Sequence, residues 1–143
     1  MTNWIYKDCP IDSLPDDCVG FVYEINNNLD GRKYIGKKLA KFAKTTYKTV
    51  TLKNGTKKKK KVRSQVDSDW KEYWGSCEEL HKDIEKFGRN WFTRRILYIC
   101  DSKAKCSYLE AKEQFTRGVL ESTKYYNGQI SIRVHGSHIL GKI

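Results

Sequence analysis

The pattern of apolar and polar positions between residues 20 and 36 predicts two short strands joined by a tight turn. Residues 21–25 (Phe-Val-Tyr-Glu-Ile) are a β-prone run and residues 26–31 are dense in turn formers. Residues 33–35 resume the extended pattern before Gly36 lets the backbone bend. Tyr23 and Tyr34 thus fall on neighbouring antiparallel strands, where cross-strand pairing brings two phenols onto one face. On this pattern alone, the simpler reading of the pair is two core aromatics.

Further along the chain the period changes. Ser76-Cys77-Glu78-Glu79 reads as a capping box, and Leu80, Ile84 and Phe87 recur at helical spacing until Gly88 closes the helix. Residues 91–100 alternate as a third strand, a second helix runs from about Ser107 to Ser122, and Tyr125-Tyr126-Asn127-Gly128 breaks the chain. An insertion at about residues 46–66 carries its own hairpin signal. Residues 47–52 alternate, Asn54-Gly55 is a two-residue turn, and Lys57, Lys58, Lys59, Lys60 and Lys61 with Val62 and Arg63 form the return arm. The expected architecture is α+β, an α/β sandwich with a small central antiparallel three-stranded sheet flanked by helices. One domain is expected over residues 1–143, with a core of about 20–128 and an inserted basic β-hairpin.

Two further segments hold candidate chemistry. Leu109, Thr116 and Leu120 share a helical face with Glu113, so a carboxylate borders an apolar stripe, where an unpaired charge is costly. A boundary glutamate paired with an arginine is the simplest account of it. Trp70, Tyr73 and Trp74 make the segment before the first helix unusually aromatic. They are expected to cap the core, with base stacking or a phosphate contact by Tyr73 as the alternative.

The strand pair resembles the GIY-YIG nuclease motif, with Val22-Tyr23 standing for its first half and Tyr34-Ile35-Gly36 for its second. Gly20-Phe21-Val22-Tyr23 carries one residue more before the tyrosine than the motif's name. The run Glu113-Gln114-Phe115 and the downstream Tyr126-Asn127 resemble the family's Glu and Asn segments. The resemblance implies a DNA endonuclease that uses one divalent cation, Mg²⁺ or Mn²⁺. It implies Glu113 as metal ligand, Tyr34 as phosphate contact or proton relay, Asn127 lining the site, and Tyr73 where relatives carry a His or Tyr. Tyr23 would be the general base or water positioner, which requires its phenol to be acidified from a reference value near ~10. Such chemistry needs an activated water, neutralisation of the pentavalent phosphate and help for the leaving oxygen. Mg²⁺ suits it as a hard cation that accepts few protein ligands and keeps most of its waters. The family's arginine, on a helix after the second tyrosine, is missing here, since residues 37–44 contain none. Lys44 is the nearest substitute by offset, with Lys41 and Arg63 as alternatives, and a lysine supplies charge without the bidentate fork.

Composition narrows the partner. Lys plus Arg outnumber Asp plus Glu by 28 to 17, a net charge of +11 and a pI near 9.4, which suits a polyanion, nucleic acid first and an anionic membrane second. The lysine run is expected to grip duplex phosphates without reading sequence. No long apolar stretch or signal peptide is visible, so a cytoplasmic protein without a membrane span is expected, in the host cell if phage-encoded. The five cysteines form no Cys-x-x-Cys pair, and reduced thiols rather than a zinc site are expected. Residues 1–19, with Pro10 and Pro15, read as an irregular lead-in, and residues 129–143 as a short edge strand or a mobile tail. The expected activity is Mg²⁺-dependent nicking of DNA by a monomer or transient dimer. The alternatives are a catalytically degenerate DNA- or RNA-binding protein that keeps the fold, and a basic protein acting through a macromolecular partner.

Overall fold

Strand β3 (Gly20–Asn27) is buried along almost its whole length, because it lies inside a sheet that is covered on both faces. The computed structural model describes residues 3–143, and the first two residues of the expected lead-in lie outside them. The remaining strands and α-helices are β1 (Trp4–Tyr6), β2 (Cys9–Ile11), β4 (Lys33–Leu39), β5 (Lys41–Thr51), β6 (Lys57–Asp67), α1 (Glu78–Phe87), β7 (Phe92–Cys100) and α2 (Lys103–Arg117). The main sheet runs β2-β1-β7-β3-β4, and β5 and β6 form a separate two-stranded ribbon.

The α+β class is as expected, but the sheet has five strands rather than three and is mixed rather than wholly antiparallel. The extra strands come from the supposed lead-in. Trp4, Ile5 and Tyr6 pair in parallel with Arg94, Arg95 and Ile96, and the chain turns through Lys7 and Asp8, both at positive φ, into β2. Three-residue strands are too short to show alternation, and a turn built without Gly or Asn gives no hairpin signal. Pro10 is tolerated because β2 is an edge strand.

Helix α1 and the 70–75 segment cover one face through Phe21, Tyr23, Ile25, Trp70, Leu80 and Ile84. Helix α2 covers the other through Val22, Ile35, Cys100, Cys106 and Val119. The N-cap of α1 is Cys77, without a side-chain cap bond, so Ser76 does not close the expected capping box; Gly88 ends the helix at φ 91° as predicted. Helix α2 starts earlier than expected, because Ser102 accepts from the Lys105 amide at 3.1 Å, and stops earlier, because Gly118 adopts the left-handed C-cap at φ 60°.

After Tyr34-Ile35-Gly36 the chain stays extended through β4 and, past Ala40, into β5. A strand therefore stands where the resemblance implies a helix. The ribbon tip is a three-residue loop ending in Gly55 at φ 84°, with the Gly55 amide bonded to the Leu52 carbonyl at 2.9 Å, rather than a two-residue Asn-Gly turn. No helix among the described residues is long and apolar enough to cross a membrane.

Candidate active site

Register sets the geometry of the two motif tyrosines. Tyr23 faces Gly36 and Ile25 faces Tyr34, so the phenols lie two positions apart on one face, with ring centroids 6.2 Å apart. Gly36 is glycine for reasons of space. A Cβ there would stand 2.5 Å from the Tyr23 hydroxyl and 2.9 Å from the Tyr34 ring, and its φ is not positive. The Tyr23 ring lies across the neighbouring strand in the room that the missing side chain leaves.

The two phenols differ in access. Tyr23 is 1% exposed, packed edge-on against Trp4 and Tyr73. Burial raises its pKa well above 10, and Tyr34 and Tyr73 add to that. The acidification expected of a general base is thus opposed by its surroundings in the protein. Tyr34 is half-buried, its hydroxyl 3.2 Å from that of Ser76, and burial raises its pKa as well. Tyr73 meets the Lys38 ammonium 4.1 Å above its ring, and Lys38 in turn pairs with Asp69 at 2.7 Å. Arg94 holds the Tyr73 segment, donating to the carbonyls of Lys71 and Tyr73 while stacked between Trp4 and Trp74.

Beside the β4 edge opens a cavity of about 370 Å³, lined by Tyr34, Lys37, Ser76, Glu110, Gln114 and Asn127 among others. Segment 124–127 closes that edge: the Lys33 amide donates to the Lys124 carbonyl and the Tyr126 amide to the Lys33 carbonyl. The Asn127 side chain completes it, accepting from the Ile35 amide at 3.0 Å and donating to the Ile35 carbonyl at 2.8 Å. Its amide thereby imitates a strand neighbour and fixes the lip of the cavity. The Gln114 amide also donates to the Ile35 carbonyl, while its buried Oε1 finds no partner.

The carboxylate of this cavity is Glu110. Burial raises its pKa above the ordinary 4.5, against the opposing pull of the Lys37 charge and backbone amide, and its charge reaches both Tyr23 and Tyr34. Glu113 does not line the cavity. It accepts from the Tyr98 hydroxyl at 2.9 Å and from Arg117 at 2.7 Å, and Arg117 also donates to the buried Glu24 at 2.7 Å. Lys44 and Arg63 do not line the cavity either. They lie on the exposed ribbon, Lys44 opposite Ser64 and Arg63 opposite Thr45. At about 3.3 Å per residue, Lys44 stands roughly 10 Å along it from Lys41. Lys57, Lys58, Lys59, Lys60 and Lys61 occupy the outer half of β6, all exposed.

Two of the assigned residues, Tyr34 and Asn127, are thus brought together on one cavity, with Tyr23 directly behind Tyr34. Glu110 and Lys37 were missed. The signal for Glu110 was the four-residue repeat Cys106, Glu110, Gln114, which is the stripe that α2 turns toward the sheet edge and the cavity. Its polarity hides it from a search for apolar periodicity, which settles instead on Leu109 and Leu120.

The donor set suits a hard cation. Glu110 offers carboxylate oxygens and the orphan Gln114 Oε1 offers an acceptor for an ordered water, while Cys77 adds a single thiol to the lining; among the described residues no cluster of three His, Cys, Asp or Glu occurs. One carboxylate is what an ion that keeps its waters needs from a protein.

Comparison with known proteins identifies the family. The family model described as "Putative endonuclease segE, GIY-YIG domain" matches residues 4–130. The putative endonuclease segE of Enterobacteria phage T4 is 30% identical over 107 residues, which are 75% of this chain and 39% of that protein. The chain therefore spans about two-fifths of the curated relative it matches. No solved structure matches. With the paired tyrosines, the glycine that accommodates them and a family match over most of its length, the chain belongs to the GIY-YIG endonuclease family.

Proposed function

We propose that the protein is a DNA endonuclease that hydrolyses one phosphodiester bond per visit with the help of Mg²⁺ or Mn²⁺, and so nicks duplex DNA. The observation that carries this reading is the convergence of Tyr34, Lys37, Glu110 and Asn127 on one cavity beside the strand that bears the second motif tyrosine. Glu110 holds the cation, and Gln114 Oε1 accepts from a water in the same cavity. The bound cation supplies Lewis-acid stabilisation of charge on the phosphate and lowers the pKa of a bound water. Tyr34, protonated at neutral pH, donates to a phosphate oxygen. Lys37 provides the cationic clamp in place of the family's arginine, as a point charge without the fork. Tyr23 packs against the Tyr34 ring, and a role as base would require its phenol to be acidified against the burial that raises its pKa. Among the described residues Tyr34, Lys37, Glu110 and Asn127 meet in one cavity, which would account for one cut per visit.

A second reading, a catalytically degenerate binding protein, is favoured by the lysine where the family has arginine. Relaxation of supercoiled plasmid separates the two. With Mg²⁺ and not with EDTA, the wild type should nick. Glu110→Gln should lose about 10²-fold or more, on the scale of removing a charge-stabilising group, whereas Glu113→Gln should retain activity within about tenfold and lose stability instead. A wild type that binds DNA but leaves the plasmid supercoiled in Mg²⁺ would establish the degenerate reading. Loss of nicking in Glu113→Gln but not in Glu110→Gln would return the metal to Glu113.

A further inference from the structure

The β5–β6 ribbon takes no part in the cavity, yet it holds most of the chain's charge. Between residues 41 and 67 lie ten of the 28 lysines and arginines and one of the 17 acids, a net +9 of the total +11. Nearly every side chain on it is exposed. Alternation along a paired register divides it into two unlike faces. One face sets Lys59 opposite Thr49, Lys61 opposite Tyr47 and Arg63 opposite Thr45, a row of cations beside a row of hydroxyls. The other sets Lys58 opposite Val50 and Lys60 directly opposite Lys48.

That arrangement is costly for a ribbon standing alone. Two-stranded hairpins are marginal in water, and like charges facing across strands destabilise them. A polyanion removes the penalty. The dimensions select which one. Eleven residues per strand at about 3.3 Å each give a length of roughly 35 Å, one turn of B-DNA. A two-stranded ribbon fits the major groove, about 12 Å wide, and not the minor groove at about 6 Å. The deep, narrow major groove of A-form RNA does not admit side chains. An arm that only gripped phosphates would need cations alone. Threonine hydroxyls and methyls and an arginine fork are what base edges accept: Arg on guanine O6 and N7, Thr on donors, acceptors or the thymine methyl.

We propose that the ribbon lies in the major groove of duplex DNA. Thr45, Thr49 and Arg63 meet base edges, while Lys44, Lys48 and Lys60 on the opposite face reach the flanking phosphates. The assignment deepens the nuclease reading and rests on it for the substrate, but it is testable with catalysis switched off.

The test is binding of the full chain in EDTA to 30-base-pair duplexes selected from a random pool, followed by anisotropy at several salt concentrations. A recurrent sequence should emerge. Thr45→Ala with Thr49→Ala and Arg63→Lys keeps the charge; it should lose about tenfold or more on the selected site, little on random duplex, and leave the salt slope unchanged. Lys44→Gln with Lys48→Gln and Lys60→Gln should weaken both duplexes alike and lower the log–log salt slope by about three. Independently of any variant, the wild type should protect guanine N7 in the selected site from dimethyl sulfate. A pool without recurrent sequence, unprotected N7, or equal affinity for duplex RNA would overturn the proposal. Plasmid nicking in Mg²⁺ by the same preparation reports on the nuclease separately. The binding pattern without nicking removes the nuclease and keeps the ribbon assignment, and nicking without the pattern does the reverse.

Discussion

Glu110 sits where a carboxylate is least comfortable, half-buried on α2 behind the sheet edge, and its raised pKa records the cost. A group whose folded-state pKa lies above its unfolded value binds its proton more tightly in the folded protein. The stability linked to that proton is present below the ordinary value of 4.5 and is lost as pH rises through the folded-state pKa. Glu110→Gln removes the charge but keeps the shape. Metal-free wild type and Glu110→Gln should therefore unfold alike near pH 4, and the variant should be the more stable at pH 7, as thermal melts at the two pH values would show. An equal or lower melting temperature for the variant at pH 7 would mean that Lys37 already compensates the carboxylate fully. A residue retained at a cost to the apoprotein is what a ligand site looks like from the stability side. Glu113 has the opposite character. Its two partners satisfy it within the protein, in keeping with the paired boundary glutamate that the helical face suggests, whereas the metal role rests on the resemblance.

At the scale of elements, the Glu24–Arg117–Glu113–Tyr98 network ties α2 to β3 and β7. Arg117→Met leaves Glu24, 9% exposed, and Glu113 as uncompensated neighbours. Because Arg117 is itself partly solvated, the cost should fall below the 3–5 kcal/mol of a fully buried pair, at about 1–3 kcal/mol, read from the urea midpoint. Adding Glu24→Gln should recover part of that loss, and strict additivity of the two substitutions would show that the pair is not coupled. The elements themselves differ in how legible they were. The hairpin of β3 and β4, helix α1, strand β7 and the basic ribbon each announced themselves by period and turn chemistry. Strands β1 and β2 did not, since their three residues gain strand character only by pairing with β7 and each other. Helix α2 was visible but rotated in the reading. Leu120 is 51% exposed, while Cys106, Ala111 and Gln114 are buried and only Leu109 of the apolar pair packs against the core, so apolarity misreported part of its inner face. Lys37 was hidden for another reason: it lies on a strand where the resemblance called for a helix.

Across the whole molecule, charge and fold are carried by different parts. With the ribbon set aside, 18 basic and 16 acidic residues leave a body of about +2, and the rest of the charge stands on two exposed strands. The ends of the ribbon are held by the body itself. The Ala40 amide donates to the Val19 carbonyl and the Ser68 amide to the Ala40 carbonyl, both at 2.9 Å, and the Ser68 hydroxyl to the Leu39 carbonyl at 2.6 Å. Residues 39 and 68 are thus already side by side, and a short Gly-Ser turn replacing 42–66 closes the gap without strain. Because exposed ribbon residues add little to either core cluster, the excised protein should keep its urea-unfolding free energy within about 1 kcal/mol. Its affinity for duplex DNA should fall steeply and its salt slope flatten, since the released counterions belong to the ribbon. If the cavity alone does the chemistry, single-turnover nicking at saturating DNA and low salt should survive the excision, with the loss confined to the concentration needed for saturation. Loss of the unfolding transition would make the ribbon part of the cooperative unit. A collapse of the saturated rate in a folded protein would mean that Lys44, Arg63 or another ribbon cation swings onto the phosphate, and that the missing arginine is supplied from there.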